Sequence, residues 1–106
     1  AINIENRFYK LNSDGATMKL KKLGNNETEI DFGHVQVFFS YETPVVMVIE
    51  DTPKTSVLVT REKFSSTTSK HINKYVKSLG VSDEVVEYVS QEILEDYRNH
   101  FFYADV

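Results

Sequence analysis

No cysteine occurs in this chain of 106 residues. That excludes disulfides, thiolate metal sites and cysteine nucleophiles, and removes any sign of a disulfide-stapled secreted scaffold. No apolar run approaches the roughly 18 residues that a membrane helix needs. The longest, Val45 to Ile49, is the size of a strand. Residues Ala1 to Glu5 lack a basic stretch followed by an apolar one, so they do not read as a signal peptide. Repeats, low-complexity segments and linkers are missing as well. What remains is 41% hydrophobic and 12% aromatic, ordinary for one globular domain spanning 1–106.

Charge is unevenly spread. Residues 1–80 hold 11 Lys or Arg and 9 Asp or Glu, a net of +2. Residues 81–106 set Arg98 alone against Asp83, Glu84, Glu87, Glu92, Glu95, Asp96 and Asp105, a net of −6. A solvated helix face is the plain reading of that acidity. A docking surface for a partner is the functional one, and Glu84, Glu87, Glu92 and Glu95 are its candidate residues. The overall charge of −4 disfavours general nucleic-acid binding, which calls for a basic patch.

The first part of the chain alternates like strands. Residues 2–11 make a weak strand, and Asn12 to Gly15 make a turn by residue type. Met18 and Leu20 alternate with Lys19 and Lys21. Gly24-Asn25-Asn26 then predicts a hairpin, because these residues tolerate positive φ. Ile30 and Phe32 share a face, and Gly33 marks a turn or bulge. From His34 to Tyr41, Val35, Val37, Phe39 and Tyr41 occupy one face. Phe38 on the other face points to cover on both sides. Val45 to Ile49 is apolar on both faces, as in a central strand. Residues 56–61 form a further strand. The whole of 1–61 is strand-rich, with connections too short for crossover helices, so the sheet is predicted as a largely antiparallel meander.

The period then changes. Ile72, Tyr75, Val76 and Leu79 fall at i, i+3, i+4 and i+7, predicting a helix over 67–79 that Gly80 ends. Ser82 suits the N-cap of a second helix over 83–98, with Asp83 and Glu84 in its first turn and Val85, Val86, Val89, Ile93, Leu94 and Tyr97 inward. The expected fold is therefore α+β: the meander, followed by two C-terminal helices packed on one face. Phe101, Phe102 and Tyr103 form an apolar tail that folds back on the core or meets a partner.

The run Ser65-Ser66-Thr67-Thr68-Ser69 leads into the first helix. One hydroxyl must cap it, which leaves others over. A helix start also presents unpaired N–H groups and the positive end of the dipole. Ser66, Thr67, Thr68, Ser69, Lys70, His71 and Lys74 are thus the candidates for an anion or partner contact. Without glycines the run is not a phosphate-cradling loop. Ser69 and His71, two apart on a helix, point about 200° away from each other, which argues against a nucleophile and base. His34, His71 and His100 lack the short spacing of metal ligands. No catalytic residue, metal site or cofactor is expected.

Phe39-Ser40-Tyr41-Glu42-Thr43-Pro44-Val45, followed by Ser66-Thr67-Thr68-Ser69-Lys70-His71-Ile72-Asn73-Lys74-Tyr75, resembles a small domain of unknown function encoded by tailed bacteriophages. Met18 to Asn26 resembles its opening, and the likeness covers roughly residues 17–77. This chain departs in its acidic second helix and in the apolar Val46-Met47-Val48. The resemblance implies a phage protein made in the bacterial host cytoplasm, or carried in the virion, and implies no catalytic residues. The expected function is a non-enzymatic interaction module that binds a host protein or another copy of itself. A nucleotide or nucleic-acid binder using the Ser/Thr-rich helix start is the alternative, and a virion structural protein a further one. No membrane partner is expected.

Overall fold

Short turns set the register of a sheet in which neighbours in sequence are neighbours in space. The computed structural model describes residues 18–51 and 54–103, with the side chains of 51 and 100–103 excepted. The strand expected at 2–11 and the turn at 12–15 lie outside these residues. Five strands run as an antiparallel meander: β1 (Lys19–Gly24), β2 (Glu27–Asp31), β3 (Val35–Ser40), β4 (Thr43–Asp51) and β5 (Lys54–Thr60). Asn26, at φ 59°, turns β1 into β2, as the Gly-Asn-Asn run predicts. Gly24 sits at a register shift in that hairpin, where any Cβ would run into the Glu27 carboxylate. Gly33, at φ 96°, turns β2 into β3. A second shift after Phe38 sets Phe39 opposite Pro44 and lets a proline begin a buried strand.

Helix α1 (Ser66–Leu79) follows. Ser65 caps it, its Oγ accepting from the Thr68 N–H at 3.0 Å. Gly80 ends it in the left-handed region at φ 65°, its N–H donating to the Lys77 carbonyl. Lys77 in the last turn complements the helix dipole. The helix expected over 67–79 is therefore present, one residue longer.

The helix expected over 83–98 is not continuous. Residues Asp83–Val85 form one 3-10 turn capped by Ser82, and Val86–Val89 form β6. Helix α2 spans Gln91–Tyr103. The reason is the β-branched run: Val85, Val86 and Val89 lose rotamer freedom in a helix and suit a pleated strand. The free side of β5 supplied a ladder for them. β6 pairs with β5 in parallel, from Val57 opposite Val86 to Thr60 opposite Val89, so α1 is the crossover of a βαβ unit. The Arg61 N–H extends the pairing to the Val89 carbonyl at 2.8 Å.

The class is α+β: a six-stranded, mostly antiparallel sheet with two C-terminal helices. The expected packing of both helices on one face is corrected. Tyr75, Ile72, Val76 and Leu79 of α1 pack on Phe38, Val45, Val46, Val48, Val57 and Val59. Leu94 and Tyr97 of α2 pack on the opposite face, with Val35, Val37, Phe39, Met47, Ile49 and Leu58. Central strands that are apolar on both sides need cover on both, and helices stacked on one face would leave a core layer in water. The Gln91 side chain anchors α2 by donating to the Pro44 carbonyl at 2.8 Å. No helix among the described residues is long and apolar enough to cross a membrane.

Candidate functional site

Among the described residues, two places on the α1 side of the sheet gather polar or aromatic groups. The first is where the hydroxyl run meets the end of β3. Ser40 is buried, and its Oγ lies 3.0 Å from Thr68 Oγ1 and 2.8 Å from His71 Nδ1. A hydroxyl can donate once and accept from another partner, so Ser40 serves both neighbours. It donates to His71 when the imidazole proton is on Nε2, and accepts when Nδ1 carries it. Beside it Tyr41 turns the chain at φ 58°, a left-handed conformation that is costly for a bulky side chain. The Tyr41 N–H is held by the Asn26 carbonyl at 2.7 Å, and its half-exposed ring lies 6.0 Å from that of His71. His71 has thus found a serine, but on another element and sealed from solvent: Ser40 is 1% exposed.

The neighbouring contacts continue this internal network. Lys74 Nζ reaches the buried Glu27 carboxylate at 3.1 Å. The Tyr75 hydroxyl donates to Glu29 at 2.7 Å while its ring stacks on Phe38, with centroids 4.2 Å apart. Burial pushes the Tyr75 hydroxyl pKa far above its ordinary value, and the bonded Glu29 carboxylate adds to the effect. Tyr75 is therefore a fixed donor and not an acid. Of the residues expected to bind an anion, Thr68 is buried and His71 half-buried on Ser40, Lys74 is exposed but paired with Glu27, and Ser66, Thr67, Ser69 and Lys70 are exposed. The structure does not bring the seven together as one concave site.

The acidic candidates are also separated. Glu84 belongs to the 3-10 turn, Glu87 is exposed on β6, and Glu92 is exposed in the first turn of α2. Glu95 is half-buried, with Oε1 3.3 Å from Arg98 Nη2. The break at β6 dissolves the single acidic helix face. The side chains of Phe101, Phe102 and Tyr103 lie outside the described residues. Among those described, no three His, Asp or Glu side chains gather into a group able to hold a metal.

The second place is a groove of about 830 Å³ between α1 and β6. Val59, Ile72, Val76 and Val81 give it an apolar floor. Tyr88 of β6 stands at its edge, 63% exposed. Ser69, Asn73 and Lys77, four apart along α1, line it on one side, and Arg61, Glu62 and Lys63 from the β5–α1 connection line it as well. Helix α1 approaches β3 and β4 most closely, and the groove opens on its β6 side, where Val59 of β5 and Tyr88 of β6 line it. Its volume lies in the range of ligand-binding clefts. Of the candidates named from sequence only Ser69 lines it. Tyr88 carries a signal in the sequence, as an aromatic residue set among acids, but a helix over 83–98 leaves that signal without meaning.

A family model described as a family of unknown function (DUF8033) matches residues 18–96. The chain belongs to that family. The span matched by DUF8033 takes in β1 to β6, all of α1 and the start of α2, so both the Ser40–His71 cluster and the groove are built within it. No curated protein and no solved structure matches the chain.

Proposed function

We propose that this domain is a non-enzymatic protein-interaction module whose partner docks in the groove between α1 and β6. The groove itself supports the reading: an apolar floor of Val59, Ile72, Val76 and Val81 with the exposed Tyr88 beside it. Apolar side chains bordered by polar ones can seat a partner's side chain, and tyrosine is among the residues that dominate binding energy at interfaces. The anion-binding alternative at the start of α1 has less behind it, because Thr68, His71 and Lys74 already hold internal partners. The motif resemblance to phage-encoded domains favours a bacterial host protein as the partner and the host cytoplasm as the setting. A virion role is the competing reading.

The test is a photo-crosslinking amino acid placed at position 88 of the chain expressed in bacteria, with the same probe at position 92 as control. A discrete adduct with one host protein from position 88 alone is the expected result. No adduct at 88, or the same adducts from both positions, would count against docking in the groove.

A further inference from the structure

The groove is lined by three cations, Arg61, Lys63 and Lys77, that form no ion pair among the described residues. Lys21, Lys74 and Arg98 each reach a carboxylate. Glu62 and Asp83 are near neighbours of the three in the same lining. Lys77 and the Arg61–Lys63 segment come from different elements, and Ile72 and Val76 lie on the floor with them. An occupant that satisfies this arrangement has apolar bulk for the floor and Tyr88, and negative charge at intervals for the rim.

We infer that the groove takes an extended acidic segment of a partner protein, one apolar or aromatic side chain seated between α1 and Tyr88 and flanking carboxylates on Arg61, Lys63 and Lys77. This rests on the groove being the docking site. A peptide is favoured over nucleic acid by charge. A nucleic-acid strand needs a continuous basic track. Here Asp83 and Glu62 interrupt the rim, and the exposed Glu84 and Glu87 follow Asp83 closely in the chain. Side-chain carboxylates can be spaced to avoid those acids, whereas a phosphate backbone cannot.

The experiment is selection from a displayed library of random dodecapeptides on the full chain, followed by fluorescence anisotropy with the enriched peptides. The expected result is enrichment of peptides with several Asp or Glu around one apolar or aromatic residue. Their affinity should fall about tenfold in an Arg61→Gln/Lys77→Gln double variant and fall again as salt is raised from about 50 to about 300 mM, because rim charges act through screened electrostatics. Tyr88→Ala should also weaken them. Enriched peptides that are neutral or basic, yet lost in Tyr88→Ala, would overturn the acidic preference and leave the groove as the docking site. Peptides indifferent to Tyr88→Ala would overturn the groove reading itself. A library that enriches nothing counts against an extended acidic segment. So does a labelled single-stranded oligonucleotide that binds with the same dependence on Arg61 and Lys77, which would make nucleic acid the ligand. Circular dichroism of each variant confirms that the fold is retained.

Discussion

Ser40 Oγ and His71 Nδ1, 31 residues apart in the chain, meet at 2.8 Å and tie the end of β3 to the second turn of α1. The same oxygen holds Thr68 at 3.0 Å, in the turn that Ser65 caps. Hydroxyls that exceed what capping needs are thus partly spent on tertiary structure.

Ser40→Ala should therefore be costly out of proportion to the atom removed. It leaves Thr68 Oγ1 and His71 Nδ1 without their shared partner in a site with little water, and an unsatisfied buried polar group costs about 1–3 kcal/mol. Urea unfolding should show a loss in that range. Ser66→Ala and Thr67→Ala, at exposed positions, should change stability by less than about 0.5 kcal/mol.

Tyr75 makes the fold sensitive to alkali. Its hydroxyl pKa is raised in the folded chain and about 10 in the unfolded one. A raised folded value means that the unfolded state gives up the proton first. The stability it contributes is complete below about pH 10 and declines above it, by up to about 1.4 kcal/mol per pH unit. Thermal melts from about pH 8 to about 11.5 should show the decline, and Tyr75→Phe should flatten it while lowering stability at neutral pH through the lost bond to Glu29.

Gly24 and Lys74 are coupled through Glu27. A methyl at position 24 would displace the Glu27 carboxylate that Lys74 holds at 3.1 Å. Gly24→Ala should cost roughly 1 kcal/mol, and less in a Lys74→Ala background where the carboxylate has already lost its cation. Additive effects in a double-mutant cycle would show that the two positions are independent.

Leu94 and Tyr88 should separate folding from binding. Leu94 of α2 is fully buried against the sheet, so Leu94→Ala should cost about 2–5 kcal/mol in chemical denaturation. Tyr88 is 63% exposed, so Tyr88→Ala should leave stability within about 0.5 kcal/mol while removing capture at the groove.

Much of the fold is legible in the sequence. The Gly24-Asn25-Asn26 turn, the two-sided burial hinted at by Phe38 and by Val45 to Ile49, the Ile72-Tyr75-Val76-Leu79 stripe and the Gly80 stop each have a local cause, and each is found where it is expected. Residues 83–89 are the exception. An apolar run this short satisfies helical and strand spacing alike. The capping signal at Ser82 is real, but it starts a single 3-10 turn. The free side of β5 then captures Val86–Val89.

The candidate site divides along the same line. That the start of α1 is rich in hydroxyls, and that one of them caps it, follows from sequence alone, because capping is a contact between residues three apart. That Ser40 would take up Thr68 and His71, that Glu27 would take up Lys74, and that Tyr88 would stand beside Ile72 and Val76 depends on which strands and helix faces meet. Sequence by itself determined most of the elements, their caps and the two-faced apolar character of the central strands, since these rest on local backbone preferences and side-chain periodicity. Tertiary structure alone decided that the helices take opposite faces, that β6 joins β5 in parallel, and that a groove is left between α1 and β6. Those outcomes are set by competition for apolar cover and free strand edges between segments far apart in the chain.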